Sequence, residues 1–431
     1  MKIAIIGAGI GGMAAAFDLQ QAGHEVDIYE ASDTVGGLAS GFKEPHWNWS
    51  VEKYYHHWFT GDTAMLGLID ELGLKDRVVF PRPKTVVYHN GSFYPLDSPF
   101  AALTFPGFRF LDMVRFGLVT VYLRYLSSWQ NLEKFTAENW MRKWYGDNVY
   151  QTIYEPLLMG KFGPYYKKVN MAWMWARLKV RSSRLGTFQG GFQAFCEAFA
   201  GALHLQGVTI NLNTPVIKIA SIHSGKIQVS TENRTVDYDQ CLVTASPQLM
   251  AKLAPTLPDD YLKGLLELKH LGAVVLVLAL RRRLSQEGYY WFNLPKSAGY
   301  PFLALVEHTN FISPKNFGWD NIVYCGDYLD PDHEYFNLSK EELLKQFLPS
   351  LIRFNSQFNL DWIRSSWLYK TKYAQPVPLL NHSKNIPDIK TPIPGLYFAS
   401  MSQVYPWDRG TNFAVSIARK AAKYMIDDQQ K

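Results

Sequence analysis

Three sets of residues in this chain have types and spacings suited to chemistry. Gly7, Gly9 and Gly12 lie in Gly7-Ala8-Gly9-Ile10-Gly11-Gly12, the spacing G-x-G-x-x-G. In such a series the first glycine allows a tight turn, the second lets backbone approach a pyrophosphate, and the third lets helix and strand pack closely. Glu30 follows at the distance where an acid can accept hydrogen bonds from both hydroxyls of a ribose. Its charge would repel a 2′-phosphate. His56 and His57 form the third set, in Glu52-Lys53-Tyr54-Tyr55-His56-His57-Trp58-Phe59. Imidazoles titrate near neutral pH and can take or give protons, although packed, hydrogen-bonded structural histidines are the simpler use of the same residues.

The elements needed to position the first two sets are legible around them. Lys2-Ile3-Ala4-Ile5-Ile6 reads as a strand, Met13 to Gln21 as a helix, and Glu25-Val26-Asp27-Ile28-Tyr29 as a second strand. A strand, a glycine turn, a helix, a strand and an acid in that order make a β-α-β unit that binds the ADP part of a dinucleotide on a helix N-terminus. A second pair, Gly36-Gly37, follows the acid. Asn90-Gly91 between Val86–His89 and Ser92–Tyr94 predicts a hairpin, and Gly73 predicts the end of a helix over 63–72. Sheet-forming segments return at Thr209–Leu212, Val216–Ile222, Lys226–Ser230 and Tyr238–Thr244. A helix is expected over Lys340–Gln357. Near the end, Leu396-Tyr397-Phe398-Ala399-Ser400 leads into Arg409-Gly410-Thr411-Asn412 and a helix over 413–425.

The whole chain bounds these readings. Its 431 residues suffice for two or three domains, and 47% hydrophobic with 19% charged residues is a globular composition. A net charge of +6 without a dense basic block argues against nucleic acid as a partner. The three cysteines, Cys196, Cys241 and Cys325, are far apart, so neither a disulfide framework nor a metal site is expected. With a strand beginning at residue 2, no signal peptide is expected, and the location predicted is cytoplasmic. The apolar run 271–280 is half of what spans a bilayer and reads as a buried strand. Aromatics reach 15% and are dense over 99–130. There Leu111, Val114, Leu118, Val121, Tyr122 and Tyr125 accompany Arg115 and Arg124. That segment reads either as a helix packed in a substrate domain or as an interfacial helix on the inner face of the membrane.

Taken together, the glycine series with Glu30, Gly36-Gly37, the turn Gln189-Gly190-Gly191, the strand ending Thr244-Ala245-Ser246-Pro247, and the strand 395–399 before the last helix resemble the flavin amine oxidase superfamily. The likeness is greatest to its bacterial protoporphyrinogen oxidase-like and phytoene desaturase-like branch. The resemblance covers essentially the whole chain. It implies an α/β fold, with a Rossmann-type FAD-binding domain (1–75, 186–260 and 390–431) interleaved with an α+β substrate domain (76–185 and 261–389). It also implies FAD held lengthwise. Gly7, Ala8, Gly9, Ile10, Gly11 and Gly12 would meet the pyrophosphate and Glu30 the ribose. Gly36, Gly37 and Leu38 would lie near the ribityl and diphosphate, and the backbone of Val216 would meet the adenine. Ser400, Arg409, Gly410, Thr411 and Asn412 would lie beside the flavin and ribityl chain. The segment holding His56 and His57 would pass the flavin.

The departures narrow the chemistry. The family's usual Arg or Lys after the second glycine pair is Leu38 here, and its usual acid after the last strand is replaced by Ser400-Met401. No cysteine lies beyond Cys325, so FAD is expected to be non-covalent. Amine oxidases carry a lysine on a middle-domain strand, and the matching 272–278 segment has none. Three readings are open. In the first, an oxidoreductase oxidises or desaturates a bulky apolar substrate, tetrapyrrole- or isoprenoid-like. In the second, a redox-neutral flavoenzyme acts on a nucleotide-sugar, which requires arginines such as Arg177, Arg181 and Arg184 to face the site. In the third, the protein binds flavin without catalysis. Trp58, Tyr373 and Trp407 are candidates for an aromatic cage over the flavin, or for plain packing.

Overall fold

The apolar run Lys2–Ile6 is the central strand of a five-stranded sheet in the computed structural model, which describes residues 1–96, 101 and 104–429. Across the sheet the order is Thr209–Asn211, Glu25–Tyr29, Lys2–Ile6, Gln240–Val243 and Leu396–Phe398, and every neighbouring pair is parallel. Parallel neighbours need long crossovers, and here the crossovers carry the rest of the molecule. The chain leaves the sheet after Tyr29, returns at Thr209, leaves again after Val243 and returns at Leu396. The fold is therefore α/β, a Rossmann-type sheet interleaved with a second, mixed portion.

Strand side chains alternate between faces, and this sheet buries both. Ile3 and Ile5 join Ile28 and Leu242 beneath three helices, Ile10–Gln21, Phe192–Leu205 and Thr411–Asp427. Ala4 and Ile6 join Val243 and Phe398 on the opposite face. That face is covered by the antiparallel strands Val216–Ser221, Ile227–Thr231 and Thr235–Tyr238 and by the helix Pro247–Leu253.

The second portion is built on a seven-stranded sheet, ordered Ile363–Pro376, His270–Leu280, Asn321–Leu329, Ala304–Glu307, Tyr289–Asn293, Lys84–His89 and Ser92–Pro95. The run 271–280 is indeed a buried strand. Val274, Leu276 and Leu278 pack on one side with Leu343 and Phe347, while Val275 and Val277 pack on the other with Trp47 and Tyr324. Burial on both faces explains why this sequence does not alternate. Asn90 and Gly91 turn the hairpin with φ of +47° and +87°, the left-handed pair such a two-residue turn requires. The helix expected over 340–357 stops at Phe347 and tightens into a 3₁₀ stretch, Leu348–Arg353. Pro349 has no N–H to continue it. Beside this sheet, the helices Ala137–Tyr145, Glu155–Phe162 and Met171–Val180 share an aromatic core of Tyr145, Tyr150, Phe162 and Trp173.

Between the two portions runs the short strand Val51–Glu52. Glu52 is buried. One carboxylate oxygen accepts from the Phe192 N–H at 3.1 Å, and the other has no partner among the described residues. Burial pushes its carboxyl from 4.5 up to about 7, against the pull of the Phe192 N–H. A folded pKa above the unfolded value means the native state holds the proton more tightly. Stability from this group is full below pH 4.5 and is lost as pH rises through about 7. Glu52→Gln should therefore change thermal stability little at pH 5 and raise it at pH 8 by about 2–3 kcal/mol, measured as the difference in Tm from wild type at the two pH values.

Candidate active site

The glycine turn is constrained from both sides. Gly7 adopts φ +108°, and a Cβ there would lie 2.7 Å from the Thr244 hydroxyl. At Gly12 a Cβ would lie 2.0 Å from the Gly7 carbonyl oxygen, so helix and strand approach closely only because no side chain is present. Gly9 is different, since a Cβ there would meet nothing within 4 Å. Backbone facing open space at the start of a helix, where N–H groups lack partners, is a cradle for phosphate oxygens. Ala8 and Ile10 flank it and are buried, while Gly11 lies against the backbone of Ala414 in the last helix.

Glu30 ties this turn to the loop after the second strand. One carboxylate oxygen accepts from the Ala8 N–H at 2.8 Å and the other from the Ser32 N–H at 2.9 Å. Each oxygen keeps a lone pair for a further donor. The Glu30 carbonyl accepts from the Thr214 N–H at 2.8 Å, which sets the start of the strand at Val216 beside it. Gly36 donates to the Ala8 carbonyl at 2.9 Å, and a Cβ on Gly37 would lie 3.3 Å from the Gly9 Cα. The two glycine loops therefore lie directly against each other, with Leu38 in the short turn after them.

The last helix opens next to the same place. Thr411 and Asn412 use their side chains structurally: the Thr411 hydroxyl accepts from the Trp58 indole at 2.9 Å, and the Asn412 amide oxygen caps the helix Thr63–Glu71 at the N–H groups of Ala64 and Met65. What this end offers a ligand is the free backbone N–H groups of its first turn, after Gly410. The Ser400 hydroxyl is held by Tyr373 at 3.0 Å. Trp58 is buried among Phe192 and Phe195, Trp407 stacks on Phe413, and Tyr373 bonds Ser400 and Ser402. These three aromatics are packing and positioning residues rather than one cage.

A cavity connects the loops to the second portion. Leu38, Tyr54, Tyr55, His56, Ala273, Val275, Tyr328 and Arg409 line it, with Asp327 and Ala374. His56 Nδ1 is bonded to the Tyr54 carbonyl. A carbonyl accepts only, so Nδ1 carries the hydrogen and Nε2 is left as an acceptor. Burial, and then Arg409, pull its pKa down to about 4, although the Tyr54 carbonyl pulls the other way. His57 lies edge-on to Phe59, its Nδ1 buried without a partner among the described residues. Burial and the charges of Arg181, His56, Arg177 and Arg409 take it down to about 3. Both histidines are therefore neutral at neutral pH. Arg409 donates from Nε to Gln375 at 2.7 Å and from Nη2 to the Tyr328 hydroxyl.

With this geometry in view, comparison with known proteins is decisive. Residues 10–426 match the family of flavin-containing amine oxidoreductases. The chain belongs to that family. The probable zeta-carotene desaturase of Synechococcus elongatus is 21% identical over all of this chain and 99% of its own length. A 15-cis-phytoene desaturase of the same organism is 28% identical over a third of each chain, so this chain spans only part of several of the curated relatives it matches. Among solved structures, a protoporphyrinogen oxidase-like protein of Exiguobacterium has a TM-score of 0.78 at 16% identity, with 99% of both chains covered. Reduced UDP-galactopyranose mutase has 0.77 at 16%, covering 99% of this chain and 95% of that one. At such identities the likeness establishes the fold.

FAD is the cofactor of this family, and the residues present fit it: an open phosphate cradle at Gly9, an acid with free lone pairs at Glu30, and a helix start at Gly410. Among the described residues no group of three or more His, Cys, Asp or Glu could hold a metal. Residues without a signature in the sequence also reach the cavity region, namely Tyr328, Gln375, Asp408 and Lys161. They come from four distant segments, and no local pattern marks them. Of the three arginines named from the sequence, Arg177 stacks over Trp173 at 5.6 Å. Arg184 turns away and donates to the Phe80 carbonyl.

Glu30→Ala removes both loop ties as well as the acceptor for the ribose. It should weaken FAD binding by roughly 10- to 100-fold, the loss of two charge-assisted hydrogen bonds, while circular dichroism stays native. Retention of FAD through gel filtration and titration of the deflavinated protein measure this.

Proposed function

We propose that this member of the family is an FAD-dependent oxidoreductase that dehydrogenates a bulky, mainly apolar substrate in the cavity between the two portions. The observation that carries this reading is the lining itself, where Leu38, Ala273, Val275, Ala374 and the rings of Tyr54, Tyr55 and Tyr328 surround one neutral imidazole, with Asp327 and Arg409 the charged groups among them. When bound, FAD supplies the hydride acceptor. The chain supplies an enclosure that excludes water, and Nε2 of His56 as a proton acceptor. The strand His270–Leu280 presents no lysine, which separates this site from an amine-oxidising one. Relatives named as desaturases of zeta-carotene and phytoene support a desaturation. The buried cysteines support non-covalent FAD.

We further propose that the face around Phe110–Val121 rests on an anionic membrane surface. Phe110, Leu111, Leu118 and Tyr125 are each about two-thirds or more exposed. Arg115, Arg124 and Lys143 stand nearby without an ion pair among the described residues. An apolar face rimmed by basic residues suits acyl chains below and phosphate headgroups above. No helix among the described residues is long and apolar enough to cross a membrane, so the contact would be peripheral. Residues 97–100, 102 and 103, which overlap the segment 99–130, lie outside the described residues.

Purified protein should be yellow, and anaerobic mixing with isoprenoid or porphyrinogen substrates should bleach it. A reduced enzyme protected by a UDP-sugar, with no bleaching by apolar substrates, would favour the redox-neutral alternative instead. His56→Ala should slow flavin reduction by about 10²–10⁴-fold, the usual worth of a positioned base, with FAD still bound. In flotation assays the protein should follow phosphatidylserine-containing liposomes, and Leu118→Asp should release it. Flotation unchanged by that substitution would reject this face as the contact.

A further inference from the structure

Arg409 carries a charge that the proposed dehydrogenation leaves without a task. It stands one residue before Gly410, where the last helix begins, and it lines the cavity together with Leu38 and His56. Two neutral groups of the second portion hold its guanidinium. Nε donates to Gln375 Oε1 at 2.7 Å, and Nη2 donates to the Tyr328 hydroxyl. Gln375 lies near the end of the strand Ile363–Pro376, and Tyr328 near the end of Asn321–Leu329. The guanidinium has no ion pair among the described residues, because the adjacent acid is turned elsewhere. Asp408 Oδ2 lies 3.5 Å from Lys161 Nζ, and Oδ1 accepts from the Gln375 amide at 3.3 Å and from the Arg409 backbone N–H at 3.0 Å.

The glycine loops fix which end of FAD comes to this cavity. The phosphate cradle is at Gly9, a Cβ on Gly37 would lie 3.3 Å from the Gly9 Cα, and Leu38, the next residue, is already part of the cavity wall. A cofactor whose ADP end is held at Gly9 and Glu30 therefore directs its other end, the ring that accepts hydride, at the wall shared by Leu38 and Arg409. Hydride brings two electrons with one proton, so reduction leaves a negative charge where water is scarce and charges act strongly. His56 is neutral and gains positive charge only while it holds the substrate's proton. Arg409 is different. Burial lowers its pKa to about 10, which leaves it charged at neutral pH.

We propose that Arg409 sets the reduction potential of the bound flavin, its unpaired guanidinium offsetting the negative charge that hydride leaves on the cofactor. Gln375 and Tyr328 fix the position of the guanidinium without neutralising it. Asp408 tempers the effect, and Lys161 keeps that carboxylate from pairing with Arg409 outright. A fixed charge beside the ring is one of the few means by which a protein tunes a flavin. Here it comes from a side chain of the nucleotide-binding half, clamped by strands of the other half. FAD belongs to the whole family, so this role of Arg409 does not depend on which substrate the cavity takes.

Equilibrium reduction of the FAD-loaded enzyme against a reference dye, followed by flavin absorbance, tests this. Arg409→Gln should shift the reduced-to-oxidised ratio roughly tenfold or more toward the oxidised form, a potential about 30 mV lower for a two-electron couple. Arg409→Lys keeps the charge and loses the fork, so its potential should fall by less. Asp408→Asn keeps the hydrogen-bond acceptor and removes the negative charge, so its potential should rise. Loosening of a packed loop does not give opposite signs at adjacent residues. Two results overturn the proposal: a wild-type potential in Arg409→Gln, or a fall in Arg409→Lys as large as in Arg409→Gln. Should Arg409→Gln lose FAD, Asp408→Asn decides alone, with a raised potential supporting the assignment and an unchanged or lowered one overturning it. No substrate enters the measurement, so failure of apolar substrates to bleach the enzyme would defeat the dehydrogenation reading and leave this result standing.

Discussion

Everything in the nucleotide-binding half depends on one close approach, that of the helix Ile10–Gln21 to the Gly7 carbonyl across Gly12. No side chain fits there. The approach lets the helix start at the end of the central strand, which directs its free N–H groups at the space above Gly9. Glu30 then crosses from the second strand to the Ala8 N–H, and Gly36 docks on the Ala8 carbonyl. Turn, acid and second glycine pair are thus one hydrogen-bonded unit. The last helix joins it through Gly11 against Ala414. Residues more than four hundred positions apart in sequence, Gly11 and Ala414, are brought together by the same absence of side chains.

The site beside this unit is governed by desolvation more than by specific bonds. Burial is the largest influence on His56, His57, Lys161 and Arg409, and in each case it disfavours the charged form. The histidines yield and stay neutral. The guanidinium groups cannot yield at ordinary pH and remain a local excess of positive charge. Lys161 meets Asp408, and Arg409 reaches Gln375 and the Tyr328 hydroxyl at the cavity wall.

Legibility differed between the two halves for a physical reason. Nucleotide binding is done largely by backbone, and backbone conformation leaves a local signature: Gly7, Asn90-Gly91 and Gly73 mark turns by type, and Gly9 and Gly12 mark close approaches of backbone. The strand 271–280 was legible too, since burial on both faces writes an unbroken apolar run. The helix expected over 340–357 ends at Phe347, because Pro349 supplies no N–H to continue it. The substrate side offered little, because a side chain's facing depends on partners far away. Arg177 and Arg184 look equivalent in sequence; in the fold the first joins Trp173 and the second joins Phe80. Thr411 and Asn412 sit where the motif puts them, but their side chains hold Trp58 and a helix cap.

The sequence by itself determined the dinucleotide fingerprint, the α/β class, the interleaving of sheet segments and the family, because each rests on short-range pattern or on motifs in fixed order. Tertiary structure alone decided which histidine nitrogen is free, which arginines turn inward, and that Lys161 and Asp408 meet beside them. Those outcomes depend on long-range packing and on local dielectric, and neither is encoded in the spacing of neighbouring residues.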